Sequence, residues 1–279
     1  MIPAHHRTGP GTAPHTAWFL HGILGSGSNW RGFARRFVER NPGWSAVLVD
    51  QRNHGDSVGA PAPHTLTACA DDLWELAGEL GGPPQLLVGH SFGGKVALTF
   101  AGQAGRLGAT GPGALERVWV LDAFPGPWPG RPEDDAEVVA VIGALSRIPQ
   151  PLAAREDVVS HLTAAGFSMG LARWMTTNLR HDGQGYRWRF DLVAAREMIS
   201  DYFVADLWPV LDEPGPGLHI DVVRAEHSLR WSEQERARFA ALPPDGPVRL
   251  HLLPDSGHWV HVDNPDGLME MIEVGSGLR

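Results

Sequence analysis

The chain has only one cysteine, Cys69, so no internal disulfide can form. Cys69 lies in a predicted helix, and we interpret it as a core residue rather than as a nucleophile. Long apolar runs are missing too, because the run Ala17–Leu20 ends at His21 and is far too short to span a bilayer. Residues 1–7 lack the apolar segment of a signal peptide. These absences predict a cytoplasmic protein with no membrane span.

Positive charge is scarce as well. Lys and Arg together number 23 against 32 Asp and Glu, which gives a formal net charge of -9. The arginines are scattered and the first half of the chain has only one lysine, Lys95, so we expect no nucleic-acid partner. With 43% hydrophobic and 20% charged residues, the 279-residue chain can bury a core the size of one α/β domain carrying an insertion.

Short apolar runs alternate with longer amphipathic stretches, which predicts repeated β-α units on a parallel sheet. The predicted strands are Ala17–Leu20, Ala46–Asp50, Gln85–His90, Arg117–Asp122, Leu218–Arg224 and Val248–Leu253. The predicted helices are Trp30–Arg40, Leu66–Leu80, Phe92–Gly102, Ser232–Leu242 and Pro265–Val274. Asn264 is the expected N-cap of the last helix. Residues 102–113 are predicted to form a flexible loop.

The alternation stops between Ala123 and Gly217, a region bounded by Pro/Gly-rich segments. Four helices and no strand are predicted there: Asp134–Leu145, Leu152–Ala165, Ser168–Asn178 and Asp191–Tyr202. An all-helical insertion at this point favours a cap over the strand ends, where open α/β sheets bind ligands. We therefore expect a core of residues 1–122 and 218–279 with a helical cap of residues 123–217. An additional packing layer is the alternative.

The run Gly89-His90-Ser91-Phe92-Gly93 follows a predicted strand and opens a predicted helix. This is the strand–turn–helix context of a G-x-S-x-G nucleophile elbow. Glycines at both flanks keep a sharp turn free of side chains, and the helix start directs backbone N–H groups toward the site. The pattern predicts that Ser91 is a nucleophile.

A serine hydroxyl needs a base to take its proton, and His is suited to that task near neutral pH. His258 fits best because it lies in a loop after the last predicted strand. It also follows the serine in the chain, which is the order found in enzymes with a G-x-S-x-G elbow. His261 is expected at the surface, with pocket lining as the alternative. No pair of His, Asp or Glu residues has a convincing metal-ligand spacing, so we expect no metal and no cofactor.

A His-Gly turn, His21-Gly22, directly follows the first predicted strand. With the elbow and the Gly-His-Trp run at His258, the chain resembles the α/β-hydrolase superfamily over nearly its whole length. The resemblance implies an α/β-hydrolase fold, a mostly parallel sheet flanked by helices. It also implies an oxyanion hole formed by the backbone N–H groups of Ile23 and Phe92. His21 itself is expected to be a structural hydrogen-bonding residue.

The segment Asp50-Gln51-Arg52-Asn53-His54-Gly55-Asp56-Ser57 resembles a structural loop common in this superfamily. Its Arg-Asn-His-Gly version is similar to that of small bacterial esterases that act on short acyl esters and thioesters. The run Tyr186–Leu192 points to the same group.

A carboxylate is expected to orient His258, and the sequence offers two candidates for it. Many relatives carry it after the strand Leu218–Arg224, where this chain has Glu226 and, at the aligned position, Ser228. The esterase group shows a serine there and takes its acid from the end of the preceding strand, which is Asp122 here. We favour Asp122, with Glu226 as the alternative.

Together these residues predict a serine hydrolase of carboxylic esters, or of thioesters, acting on a small-molecule substrate. A carbon–carbon bond hydrolase, a lyase and a non-catalytic receptor are alternatives, as is a peptidase using Glu133-Asp134-Asp135 for the substrate amine. Apolar side chains are expected to line the pocket, although such residues at helical spacing also fill cores. They are Phe124, Trp128, Phe167, Met169, Trp174, Met175, Trp208 and Trp259.

Overall fold

A seven-stranded sheet forms the centre of the computed structural model, which describes residues 1–130 and 137–278. Nine strands are described: β1 (His5–Thr8), β2 (His15–Leu20), β3 (Trp44–Val49), β4 (Leu86–His90), β5 (Arg117–Leu121), β6 (Leu179–His181), β7 (Tyr186–Trp188), β8 (His219–Ala225) and β9 (Val248–Leu253). The main sheet has the order β1-β3-β2-β4-β5-β8-β9, and every pair is parallel except β1–β3.

All six predicted strands are present, with ends within two residues of the expected ones. The sequence did not indicate β1, because its four residues are polar or half-exposed and lie at an edge. An edge strand buries little surface, so no apolar pattern marks it. In contrast, all five residues of β4 are buried, as expected for a central parallel strand covered on both faces.

Eleven helices are described, some covering the two faces of this sheet and others lying in the insertion. They are α1 (Arg31–Arg40), α2 (Leu66–Leu80), α3 (Phe92–Leu107), α4 (Glu137–Leu145), α5 (Glu156–Ala164), α6 (Met169–Thr176), α7 (Leu192–Val204), α8 (Trp208–Asp212), α9 (Glu233–Ala240), α10 (Val260–Asp263) and α11 (Pro265–Gly275), with a 3₁₀ turn at Gly27–Trp30. Helices α1 and α11 pack on one face, and α2 and α3 pack on the other. Within the described ranges, no helix is both long and apolar enough to cross a membrane.

Helix α3 is longer than predicted. The expected flexible loop at residues 102–113 is wrong in its first half, since the helix continues to Leu107 and ends at Gly108 in a left-handed conformation. Gly102 and Gly105 do not break the helix. A Cβ on Gly102 would lie 2.9 Å from a methyl carbon of Val210, and Gly105 lies so close to Gly215 that a Cβ on Gly215 would come within 2.9 Å of the Gly105 Cα. These two glycines therefore allow close packing rather than a turn.

The insertion, residues 123–217 between β5 and β8, contains a strand pair that was not predicted. Strands β6 and β7 form a two-stranded antiparallel hairpin, so the expectation of helices alone is wrong. The Asp182 carboxylate accepts the N–H groups of Gln184 and Gly185 and closes the turn between them. With three residues per strand, the hairpin is too short to show an alternating pattern.

The strand order indicates at which edge of the sheet a site can form. Strand β2 lies between β3 and β4, so the chain leaves β2 in one direction and later returns on its other side. Loops diverge at such a switch point and open a crevice at the carboxyl ends of the strands. The His-Gly turn follows β2 and Ser91 follows β4, so both lie at this crevice.

Lys95, the single lysine of the chain, joins α3 to both ends of the insertion. Its fully buried ammonium donates to the carbonyls of Gly126 at 2.7 Å, Tyr202 at 2.8 Å and Ala205 at 3.0 Å. The ring of Tyr202 lies 4.5 Å from the same nitrogen. Three protons thus meet three carbonyl oxygens, which satisfies the buried charge and fixes the insertion on the core.

We expect Lys95→Met to lower the free energy of unfolding by about 3 kcal/mol, because three buried carbonyls lose their donor. Arg106→Met is the matched control, since Arg106 is exposed on the same helix; it should change stability by less than about 0.5 kcal/mol. Urea unfolding of both variants measures the difference. Equal stabilities would show that Lys95 does not fasten the insertion.

Candidate active site

Ser91 lies at the sharp turn between β4 and α3. Its φ of +52° is unusual for a residue with a side chain, and such strain is tolerated where the surrounding structure imposes it. A Cβ on Gly89 would collide with the carbonyl of Gly93, and one on Gly93 would lie 2.6 Å from the carbonyl oxygen of His21. The turn therefore requires both glycines, which is the geometry of a nucleophile elbow.

Asp122 follows β5, the neighbour of β4, so it lies beside Ser91 at the same edge. Its carboxylate is 1% exposed, and two side chains of the β8–α9 loop donate to it. Trp231 Nε1 donates to Oδ1 and Ser228 Oγ donates to Oδ2, both at 2.9 Å. The backbone N–H of Ala225 adds a bond to Oδ1 at 3.2 Å. Because these donors solvate the charge, an isolated buried carboxylate is avoided.

The fourth donor to Asp122 is the ring of His258. The distance from His258 Nδ1 to Asp122 Oδ2 is 2.8 Å, so Nδ1 carries the proton and Nε2 is left as the acceptor nitrogen. His90 supports this loop, since its Nε2 lies 2.7 Å from the backbone carbonyl of His258 and can only donate there. His258 and Ser91 line the same cavity without a hydrogen bond between them in the described structure. Such bonds often tighten only with substrate.

The electrostatics of the pair follow from burial and from these contacts. Burial alone would raise the pKa of Asp122, but the hydrogen bond and charge of His258, with the donors above, bring it below the usual value. Burial lowers the pKa of His258, the charge of Arg230 lowers it further, and Asp122 opposes both. His258 is therefore neutral near pH 7, as a general base must be.

The alternative acid lies elsewhere. Glu226 is exposed, and its carboxylate accepts the backbone N–H of Asp255 at 2.9 Å rather than a ring nitrogen of His258. Ser228, at the position where many relatives carry the acid, donates to Asp122 instead. The geometry thus brings Asp122, and not Glu226, to His258.

Two backbone N–H groups near Ser91 have no protein acceptor among the described residues. Among the hydrogen bonds of the described residues, neither the N–H of Ile23 nor that of Phe92 finds a partner. His21 aims the first one: its Nε2 accepts the N–H of Gln51 at 3.1 Å, and its Nδ1 donates to the carbonyl of Gly22 at 2.7 Å. Because a trans peptide points its N–H opposite to its carbonyl, holding the Gly22 carbonyl also fixes the Ile23 N–H.

His54, from the Arg-Asn-His-Gly loop, braces the same turn. Its Nε2 accepts the N–H of Leu24 at 3.1 Å, and its Nδ1 donates to the carbonyl of Arg52 at 2.9 Å. Arg52 in turn pairs with the buried Asp72 at 2.7 Å. This loop is therefore structural, and it acts on the turn that carries Ile23.

Comparison with known proteins identifies the family. A family model described as "Alpha/beta hydrolase family" matches residues 19–271. The chain belongs to the alpha/beta hydrolase family. It is 30% identical over 262 residues to the mouse protein named sn-1-specific diacylglycerol lipase ABHD11, covering 91% of this chain and 78% of that one.

Two further similarities point the same way. The protein named Esterase YbfF of Escherichia coli strain K12 is 26% identical over 255 residues, 91% of this chain and 89% of that one. A solved structure described as a marine microorganism esterase has a TM-score of 0.78 at 22% identity and covers 96% of this chain and 97% of that one. At that identity the structural likeness shows the fold alone.

The cavity of this hydrolase has a volume of about 90 Å³. Of the aromatic and methionine residues expected to line it, Trp174 and Trp259 do so, and their rings meet edge to face with centroids 4.3 Å apart. The remaining lining side chains come mainly from the insertion. They include Val138, Val141, Leu171, Ile199, Tyr202 and Phe203, with Arg230 and Glu137 as the charged members.

Four expected pocket aromatics lie outside this cavity. Phe124 is fully buried over the Lys95 ammonium. Trp128 and Trp208 border a separate depression beside Glu235. Phe167 packs half-buried against the core. Met169 is exposed and Met175 is buried in the core. Their helical spacing reflected packing within the insertion, which sequence alone does not separate from pocket lining.

The burial of two side chains decides two further expectations. His261 is not at the surface, because it is 9% exposed and its ring lies 4.5 Å from that of Trp30. Cys69 is buried in α2, and burial raises the pKa of its thiol, as expected for a core residue. The acidic run Glu133-Asp134-Asp135 lies outside the described residues.

The structure also brings together three surface side chains whose spacing in the sequence did not indicate a cluster. Among the described residues, one potential ligand atom from each of Glu226, His227 and Asp255 lies within 4.8 Å of the others. All three side chains are exposed.

Burial of His21 and His54 makes stability depend on pH. Burial lowers the pKa of His21 to about 4, against the effect of its hydrogen bond to Gly22. Burial and the nearby His21 lower that of His54 to about 3. An unfolded histidine titrates near pH ~6.5, so between about pH 6.5 and 4 only the unfolded state takes up these protons. Each then costs about 1.4 kcal/mol of stability per pH unit as the pH falls.

We expect the free energy of unfolding to fall less steeply between pH 6.5 and 4.5 in His54→Gln than in the wild type. Glutamine keeps an acceptor for the Leu24 N–H but does not titrate. His161→Gln, which removes an exposed histidine, should keep the wild-type slope. Urea unfolding at several pH values measures all three slopes. An unchanged slope in His54→Gln would contradict the neutral, buried state of His54.

Proposed function

We propose that this protein hydrolyses carboxylic esters, and also thioesters, through an acyl-enzyme on Ser91. The observation that carries the proposal is the 2.8 Å contact between Asp122 and His258 beside a strained elbow serine. Its relatives named as an esterase and as a diacylglycerol lipase agree with ester hydrolysis. We propose small to medium acyl groups, since the cavity is small and mostly apolar.

In the proposed reaction Ser91 Oγ attacks the acyl carbon while His258 Nε2 takes the hydroxyl proton. The imidazolium then gives this proton to the leaving oxygen or sulfur, which departs and leaves the acyl group on Ser91. Water next attacks this ester, His258 takes its proton, and Ser91 regains a proton as the acid leaves. Asp122 keeps the ring in one tautomer and stabilises its charged form.

The N–H groups of Ile23 and Phe92 would hold the oxyanion that forms in each half of the reaction. Two features support this role: they lack a protein acceptor, and Phe92 begins a helix whose N-terminus carries partial positive charge. His21 and His54 would act through the backbone, by keeping the Ile23 N–H aimed before substrate arrives.

We further propose that residues 123–217 form a cap on a core of residues 1–122 and 218–279. The support is that most apolar lining side chains come from the insertion, whereas Ser91 and His258 come from the core. A cytoplasmic location, as expected from the single cysteine, belongs to the same proposal.

We expect Ser91→Ala and His258→Ala each to abolish ester turnover, and Asp122→Asn to lower kcat at least ~10²-fold because the ring loses its anionic partner. Glu226→Gln is the matched control: it removes a carboxylate of the alternative acid and should cost less than ~10-fold. Steady-state rates on one short-chain 4-nitrophenyl ester decide between them. A nearly normal Asp122→Asn with a crippled Glu226→Gln would reverse the assignment.

The role of the cavity walls in binding can be tested with esters of increasing acyl chain length. We expect Trp174→Ala to shift the preference among 4-nitrophenyl esters toward longer acyl chains by ~10-fold, because it removes an aromatic wall of the cavity. Trp128→Ala, outside the cavity, should leave the profile unchanged. Profiles of kcat/KM from acetate to decanoate measure both. An unmoved profile in Trp174→Ala would contradict the role of the insertion in binding.

A further inference from the structure

Arg230 gives the catalytic cavity an unpaired positive charge. It lies in the loop between β8 and α9, is half-buried, and lines the cavity with Ser91 and His258. Among the arginines within residues 1–130 and 137–278, Arg52 and Arg117 each pair with a buried aspartate. Arg230 has no such pair and no hydrogen bond there. A half-buried guanidinium without a partner is available to bind an anion that enters the cavity.

The charge reaches groups on both sides of the cavity. It acts on His258 of the core and on Tyr202 of the insertion, whose ring also lines the cavity. The other charged lining residue, Glu137, is exposed at the start of α4. Burial is the main cause of the low pKa of His258 and the charge of Arg230 comes next, whereas Asp122 and, least of all, Glu137 raise it. Arg230 is therefore the cation that acts on the base, against the opposing effect of Asp122.

We infer that the cavity selects esters that carry a carboxylate, and that Arg230 binds this group; the inference rests on the proposed ester hydrolysis at Ser91. A guanidinium presents two parallel N–H donors that match the two oxygens of a carboxylate. The apolar remainder of the lining holds the methylene chain between the two polar ends. The substrate is thus a half-ester of a dicarboxylic acid, or an ester whose alcohol part bears the carboxylate.

The net charge of -9 does not oppose this assignment at contact. At physiological ionic strength charges are screened beyond about 8 Å, so distant carboxylates have little effect inside the cavity. The bound carboxylate also offsets the effect of Arg230 on His258, so substrate binding makes the base stronger at the moment when Ser91 must be deprotonated.

The test uses matched esters that differ only in charge. The 4-nitrophenyl half-ester of adipic acid is compared with 4-nitrophenyl 6-oxoheptanoate, in which a methyl ketone replaces the carboxylate. The second pair, 4-acetoxybenzoate and 4-acetoxyacetophenone, places the charge on the leaving group. We expect a preference of ~10-fold or more in kcat/KM for the charged ester of one pair, and the pair that shows it tells which side of the ester Arg230 faces.

Arg230→Gln should abolish that preference, Arg230→Lys should keep part of it, and Arg236→Gln, an exposed change on α9, should keep all of it. Since Arg230 lowers the pKa of His258, Arg230→Gln should also move the acid limb of kcat/KM on the neutral ester to higher pH. A merely structural role would not move that limb.

Two outcomes separate this inference from the proposed function. If the wild type hydrolyses the neutral and charged esters of both pairs equally, or if Arg230→Gln retains the preference, the role of Arg230 is wrong and ester hydrolysis stands. If no ester of either pair is hydrolysed, the proposed function itself fails.

Discussion

A carboxylate buried at the end of a strand is stable only where donors replace the water that it has lost. Asp122 is such a group, and four donors surround it: the ring of His258, the indole of Trp231, the hydroxyl of Ser228 and the backbone of Ala225. Three of these come from β8 and the loop that follows it, and the fourth comes from the loop after β9. One buried charge therefore fixes three segments of the chain at the rim of the sheet.

The parallel sheet makes this gathering possible. His90 of β4 pairs with Leu121 of β5, so Ser91 and Asp122 leave the sheet side by side. Both have positive φ, 52° and 46°, which turns each side chain out of its strand direction at the rim. Strands β5, β8 and β9 are consecutive neighbours, which brings the donors of Asp122 to the same edge. The strain in two adjacent turns is thus supported by ladder hydrogen bonds beneath them.

A second set of contacts positions backbone groups of the site rather than side chains. His21 and His54 are buried, neutral and fully hydrogen-bonded, and they hold the turn that carries Ile23. A preorganised donor stabilises charge in a transition state without reorganising. The Arg-Asn-His-Gly loop has no side chain in the cavity lining, so its effect on the site passes through this turn.

The alternation of strands and helices, and the elbow at Ser91, were predictable because both depend on local pattern and on glycines that the turn requires. The resemblance to the esterase group also indicated Asp122, because that group has a serine at the usual acid position, here Ser228, and in the structure Ser228 donates to Asp122. The sequence did not indicate Trp231 as a donor, since a tryptophan near a strand end has no distinguishing spacing. The burial of His261, the hairpin β6–β7 and the positions of Trp128 and Trp208 depend on how the insertion packs. No short-range pattern encodes that packing.

The most direct measurement is to trap the covalent intermediate. The protein is mixed with a short-chain 4-nitrophenyl ester and quenched in acid within the first turnover, and its peptides are examined by mass spectrometry. The account predicts one acyl group per chain, on the peptide that contains Ser91, appearing with a burst of 4-nitrophenol and followed by steady turnover. Turnover without any adduct at Ser91, or a stable adduct without turnover, would contradict it.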